Sequence, residues 1–411
     1  MAFLFRPDEI FLQGHFRSRL ASAAATIALA AAAVAMCSAQ APYGAINVAV
    51  QQGDLEKVKE LVREDPNVVS QKTTGGATPL YWAAGQDRIE IARVLLANHA
   101  AVNAQTDSGQ TPLHIAAVAG YPDMVALLLQ ADADVTVRTH IGDTPLHFAA
   151  QAGNEQVVEL LLARNSEIDA RNEAGYTPLH FAVRQGHAKT VAVLLDHKAT
   201  VDARDNAGIT PLQTAAGSGY NDIVATLLAH KAEVDAVSGG GFTALQVAAD
   251  NEHNDVVEFL LAHNANVNFQ YDHRQSALHT AARLGHMATA ELLLAHHADV
   301  TARDMGRWTP LHLAAQEGHK DLAALLLAHS ADVNARDDQG ATPLHYASIN
   351  GHEDVAQCLL AHGADVNAAD KTGSTPRRYA LTGSTTSFIV RDSEEDRRAV
   401  AELLRKHGGH E

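Results

Sequence analysis

The stretch Thr111-Pro112-Leu113-His114-Ile115-Ala116-Ala117-Val118-Ala119-Gly120 decides how the rest of the chain is read. Thr111 is placed to cap a helix whose first residue is Pro112, where the missing amide hydrogen costs nothing. Leu113, Ala116 and Ala117 make a small apolar face, and Gly120 ends the helix. Val125, Leu127, Leu128 and Leu129 then supply the bulk of a second helix. The segment Asp134-Val135-Thr136-Val137 reads as extended, and Gly142 turns the chain toward the next Thr-Pro. Helices of roughly eight to ten residues do not persist alone in water, so such a unit must bury its face against copies of itself.

Copies are present. Thr-Pro-Leu starts recur every 33 residues at Thr78, Thr111, Thr144, Thr177, Thr210, Thr309 and Thr342, and Thr243-Ala244-Leu245 and Ser276-Ala277-Leu278 keep the register. Another start, Thr375-Pro376, is followed by Arg377 and Arg378 instead of Leu and His. Residues 78–374 therefore hold nine full units. Residues 40–77, with Ala45-Ile46-Asn47-Val48-Ala49-Val50 and Gly53, form a degenerate N-terminal cap. Residues 375–411 form a C-terminal cap whose Val400, Leu403, Leu404 and Gly408 match Val355, Cys358, Leu359 and Gly363 at an offset of 45, which implies a 12-residue insertion within Thr382 to Glu395.

The unit resembles the ankyrin repeat. Thr-Pro-Leu-His-x-Ala-Ala, the following Gly, the Leu-Leu pair and the Ala-Asp-Val-Asn-Ala tails at Ala331–Ala335 and Ala364–Ala368 match that family in order, over about residues 44–409. The resemblance implies an all-α solenoid of about eleven helix-turn-helix units with hairpin-like turns. It also implies that the Thr-Pro-Leu-His histidine is structural, and that partners bind on the concave surface made by the turn tips and first helices.

Arg17 and Arg19 precede a mostly Ala run from Leu20 to Met36, and Cys37, Ser38 and Ala39 are small. This is the pattern of a secretory signal, residues 1–39, cleaved after about Ala39. The run of about 17 residues is short and Ala-rich for a membrane span, so no membrane role beyond export is expected. Removing the signal takes a net charge of +1 and leaves −18. The expected location is the periplasm or the medium.

The 411 residues carry 31 Lys and Arg against 48 Asp and Glu, a net charge of −17, and no Lys/Arg-rich block. That argues against a protein whose affinity rests on neutralising phosphates, so nucleic acid is not expected as a partner. Of two cysteines only Cys358 survives cleavage, which excludes an internal disulfide. The 24 histidines suggest metal, but His197, His230, His263, His296, His329 and His362 lie 33 apart, as do His279, His312 and His345. Equivalent positions in stacked units are roughly 10 Å apart, too far to share an ion; the adjacent His296 and His297 are the remaining place for a chance site. His352-Glu353 lacks a second His, Gly239-Gly240-Gly241 lacks the Lys-Ser/Thr of a phosphate loop, and Ser218 sits in no nucleophile elbow. No catalytic residue, cofactor site or metal site is assigned, and a metal-dependent enzyme is the least supported reading.

The residue before each start varies, and in the centre it is large and apolar at Tyr176, Ile209, Phe242 and Trp308. A solvated turn would carry polar residues, so these four are expected to form an exposed stripe of binding anchors. The same region has altered units: Gln213 and Gln246 replace His, Ala244 and Ala277 replace Pro, and Arg274 replaces Gly. Gly217, Asp250, Asn251, Arg283 and Leu284 on the first helices would border the stripe. The expected function is a non-catalytic, monomeric protein-binding scaffold whose acidity favours a partner with a basic surface. A secreted effector or toxin-associated protein acting on another cell would use the same face.

Overall fold

The computed structural model describes residues 44–270, 275–382 and 394–411. The expected signal, the first four residues of the N-terminal cap, Arg274 and most of the C-terminal insertion lie outside them. Among the described residues there are 22 α-helices, one 3-10 helix and no strand.

The helices alternate between an inner set of 7 or 8 residues, such as Pro112–Ala119 and Pro178–Arg184, and an outer set mostly of 9, such as Pro122–Gln130 and Asn221–Ala229. Each inner helix packs on its own outer helix and on the next inner helix, and each outer helix on the next outer one. The sequence explains the two layers. Leu80, Leu113, Leu146, Leu179, Leu212, Leu245, Leu278, Leu311 and Leu344 are all buried between inner and outer helices. The Ala pairs beside them, such as Ala116-Ala117 and Ala314-Ala315, are fully buried and small enough to let inner helices approach closely. Each buried Leu contributes about 1.5–3 kcal/mol, so no pair survives without its neighbours.

Between units the chain makes a hairpin-like turn rather than a strand. Asn172 N–H donates to Tyr176 O at 3.0 Å and Gly175 N–H to Asn172 O at 2.9 Å. Successive turns are zipped by one main-chain bond each: Glu173 N–H to Ile141 O, Asn206 N–H to Ala174 O and Gly239 N–H to Ala207 O. The segment expected to be extended is corrected at its centre, because Val135 and Thr136 form a turn in which Asp134 Oδ1 accepts from Thr136 N–H at 2.8 Å.

The two ends of the stack differ from the regular unit. Ala45–Gln52 and Leu55–Glu64 open the stack, followed by the 3-10 helix Pro66–Ser70. At the other end Pro376–Thr382 is the last inner helix and Glu394–Lys406 the last outer one. Glu394 and Glu395, expected inside the inserted loop, instead begin this helix, whose 13 residues exceed the usual 9 by about one turn. Three acids in its first turn and two bases in its last suit the helix dipole and explain the extension.

Candidate protein-binding face

The side chains that fix the turn tips come first, because they determine what the tips present. In the unit starting at Thr111, His114 Nδ1 accepts the Thr111 N–H at 3.1 Å and Nε2 donates to Asp143 O, one unit on, at 3.2 Å. The pattern repeats from His147 to Tyr176 O, His180 to Ile209 O, His279 to Trp308 O, His312 to Ala341 O and His345 to Ser374 O. Burial pushes the imidazoles of His114, His147 and His312 down to about 4, and those of His180, His279 and His345 down as well.

Gln213 and Gln246 do the same work. Gln213 Oε1 accepts the Thr210 N–H at 2.9 Å and Nε2 donates to Phe242 O at 2.7 Å; Gln246 links Thr243 N–H to Gln275 O. The central units are thus altered in sequence but not in this clamp. Ala244 and Ala277 likewise start their helices where Pro does, beneath Thr243 and Ser276 caps.

A second clamp joins the other end of the inner helices. His187, His253, His319 and His352 direct Nε2 to the carbonyls of Gln151, Gly217, Arg283 and Gln316, and His286 directs Nδ1 to Ala249 O. Glycines Gly153, Gly219, Gly285 and Gly318 of the preceding units make room for His187, His253, His319 and His352, whereas His286 faces Glu252. At Gly285, φ is +75° and a Cβ would lie 2.7 Å from the His319 ring.

The expected stripe of exposed anchors is corrected: Tyr176, Ile209, Phe242 and Trp308 are all half-buried. Trp308 packs on Tyr346 of the next unit with ring centroids 4.2 Å apart. Tyr176 lies edge-on to Phe181 at 5.9 Å, and the Arg184 guanidinium sits 5.7 Å from its ring centre. Tyr176 and Trp308 thus lean on neighbouring side chains instead of standing clear of them. Near the tips, the large apolar residues that are exposed are Ile141 at 58% and Met305 at 63%. They sit two and three residues before the tip positions Asp143 and Trp308 of their turns, where no apolar periodicity marks them.

The inner-helix ends bordering the stripe form one contact. Arg283 Nη2 lies 3.5 Å from Asp250 Oδ1, both partly exposed, and burial pushes the Asp250 carboxyl up against the pull of Arg283 and His286. Asn251 turns back to cap its own helix, Nδ2 donating to Val247 O at 2.8 Å, and Leu284 is half-buried. Gly217 is buried and leaves the inner-helix surface without a side chain between Arg184 and Asp250 in the repeat order.

Two features were missed in the sequence. Tyr346 and Tyr379 donate their hydroxyls to the buried turn carboxylates Asp337 and Asp370 at 2.5 and 2.9 Å. Arg138, Arg171, Arg204, Arg303 and Arg336 lie in a row along the turns, each donating through Nη1 to the carbonyl 33 residues on. Their signal was the recurrence of Ala-Arg at 170, 203, 302 and 335, which a search for contiguous basic blocks passes over.

Among the described residues no three His, Cys, Asp or Glu converge as metal ligands, and no helix is long and apolar enough to cross a membrane. Paired short helices, stacked in two layers and joined by zipped turns, define a repeat solenoid. The profile of ankyrin repeats in three copies matches residues 46–139, 137–205, 200–271, 237–304 and 278–370, and the chain belongs to the ankyrin repeat family. Such repeats commonly mediate contacts between proteins. A 61-residue segment is 41% identical to Palmitoyltransferase akr1 of Schizosaccharomyces pombe, covering 15% of this chain and 10% of that protein. The match thus spans about a tenth of that relative's length.

Proposed function

We propose that the chain is an exported, non-catalytic, monomeric scaffold that binds a partner protein across its turn tips and inner-helix ends. The observation that carries this reading is the contrast between main chain and side chain at the tips. Main-chain groups of Tyr176, Ile209, Phe242 and Trp308 are held by the clamps and their own turns, while their side chains vary from unit to unit and remain partly open to solvent. Large aromatic groups on a fixed backbone are effective anchors because little freedom is lost on binding. Export rests on the sequence from Arg17 to Ala39. The net charge of −17 supports attraction of a partner that is basic overall.

The test is crosslinking capture from the exported fraction, comparing the native chain with an Ile209→Ser, Phe242→Ser variant that leaves the Trp308–Tyr346 contact intact. A partner held by the native chain and lost by a variant with unchanged circular dichroism supports the reading. Equal capture by both would move the site away from these tips, and no specific partner on either would refute the scaffold.

A further inference from the structure

The arginine row does two things, and only one of them needs charge. Each guanidinium ties its turn to the next through Nη1. At the equivalent position Gln270 makes the same tie with a neutral carboxamide, Nε2 to Arg303 O at 3.4 Å, and Lys72 makes it to Gln105 O at 3.1 Å. The tie therefore does not explain why arginine stands at five positions in a chain of net charge −17. Arg138 spends its remaining edge on Glu167 at 3.1 Å. Arg171, Arg204 and Arg336 are exposed and Arg303 half-exposed, and among the described residues none of these four is in an ion pair. Glu233, Asp332 and Asp365 stand where Glu167 does but form no ion pair with Arg204, Arg303 or Arg336. Four guanidiniums are thus pre-positioned through one nitrogen, with Nε and Nη2 left for an acceptor.

We propose that Arg171, Arg204, Arg303 and Arg336 receive an acidic, extended segment of the partner protein. The inference rests on the scaffold reading above and specifies the chemistry of its partner. Adjacent units are roughly 10 Å apart, and an extended chain rises about 3.3 Å per residue, so carboxylates at every third residue meet adjacent arginines. Arg171 and Arg204 are one unit apart, as are Arg303 and Arg336, but three units separate Arg204 from Arg303. Val237 and Gln270 occupy the gap, alongside the apolar tips Ile209 and Phe242. The matching segment has two acidic pairs flanking about nine residues with an apolar middle. A nucleic acid, with evenly spaced phosphates, would leave its charges unpaired across this neutral gap and meet the repulsion of the whole chain. Overall acidity and a local basic row are compatible, because beyond about 10 Å salt screens the former while contact decides the latter.

The test is fluorescence anisotropy with labelled synthetic peptides on the full chain. One peptide carries two Glu pairs, three residues apart within each pair, around a Tyr- and Leu-containing middle; one has Lys for Glu; one has the Glu residues clustered; and a single-stranded DNA oligomer is the fourth probe. The paired-Glu peptide should bind best and weaken with added salt. An Arg171→Gln, Arg204→Gln, Arg303→Gln, Arg336→Gln variant should stay folded, as Gln270 makes the tie and the turn at Gln105, which donates to Gly109 O of its own turn, forms without it, and bind that peptide about tenfold more weakly or worse. A Lys189→Gln, Lys320→Gln variant on the outer helices should bind as the native chain does. Preference for the Lys peptide, the clustered peptide or DNA, binding to no peptide, or equal binding by the four-Gln variant would overturn the proposal. The peptide arms use the native chain, so they decide even if the four-Gln variant is unstable. A captured partner held equally by native and four-Gln chains would remove the arginine row and leave the scaffold standing, whereas an absence of any partner removes both.

Discussion

Acid should weaken the array through the buried histidines, and the molecule already contains the substitution that would prevent it. His114, His147 and His312 have their imidazoles pushed down to about 4 by burial, against about 6.5 in an unfolded chain. Between those values the unfolded state binds the additional proton, so stability falls as pH falls through the window and is fully present above about 6.5. At about pH 5 each histidine costs about 2 kcal/mol, or about 6 kcal/mol for the three. Asp143 works in the opposite sense: burial pushes its carboxyl up to about 6, so acidification from neutral to about pH 5 returns about 1.5 kcal/mol. From these four groups a net loss of about 4–5 kcal/mol remains, and His180, His279 and His345, also pushed down by burial, add to it. Gln213 and Gln246 form the clamp without titrating, so His114→Gln, His147→Gln, His312→Gln should preserve it. At neutral pH the variant loses up to about 1 kcal/mol per site from the ring contacts to Phe148, Phe181, Trp308 and Tyr346. Thermal midpoints by circular dichroism at about pH 7.5 and about pH 5 would show the acid loss reduced to less than half. A variant whose midpoint falls as steeply as that of the native chain would refute the assignment of acid sensitivity to these side chains.

Asp143→Asn should stabilise the chain by on the order of 2 kcal/mol at neutral pH, because the carboxylate is ionised there at the cost of burial while Asn still accepts from Asn172. The gain should vanish below about pH 4 in the same melts. Gly285→Ala should cost about 1–3 kcal/mol, since φ is +75° and the new methyl would collide with the His319 ring; adding His319→Ala should recover the collision and not the backbone strain, read by urea unfolding. Trp308→Ala should cost about 3 kcal/mol in the same unfolding assay, as expected of a ring packed on Tyr346, and a loss below about 0.5 kcal/mol would show the ring to be an exposed tip after all.

Most of the fold was legible because one unit had to satisfy the same constraints repeatedly. Thr111, Pro112, Leu113 and Gly120 mark a helix start, face and stop, and the recurrence of those marks gives the stack. The helix period alone could not show that Gln213 preserves a histidine's two bonds, since both are made to main-chain groups far along the chain. Nor could it show that Trp308 lies on Tyr346, a contact 38 residues away set by how one unit seats on the next. The arginine row was hidden for the opposite reason: its members are adjacent in space but separated by 33 residues, so no local window contains two of them.

The same clamps that make the tips hard to read in sequence make them suitable for recognition. At Ile209 the N–H donates to Asp205 Oδ1 at 2.8 Å, and the carbonyl accepts from Asp205 N–H at 3.1 Å and His180 Nε2 at 3.3 Å. Tyr176 is held by Asn172 and His147, Phe242 by Ser238 and Gln213, and Trp308 by Asp304 and His279. None of these bonds involves the tip side chain, so the backbone conformation does not depend on which residue the tip carries. Where a neighbour supports the side chain, as Tyr346 does Trp308, substitution costs packing but not the turn. If the tips are the binding face proposed above, a partner would meet a row whose positions are fixed before binding and whose chemistry is set unit by unit, which lowers the ordering cost of association. It follows that exchanging tip residues between units should redirect binding while leaving the stack intact.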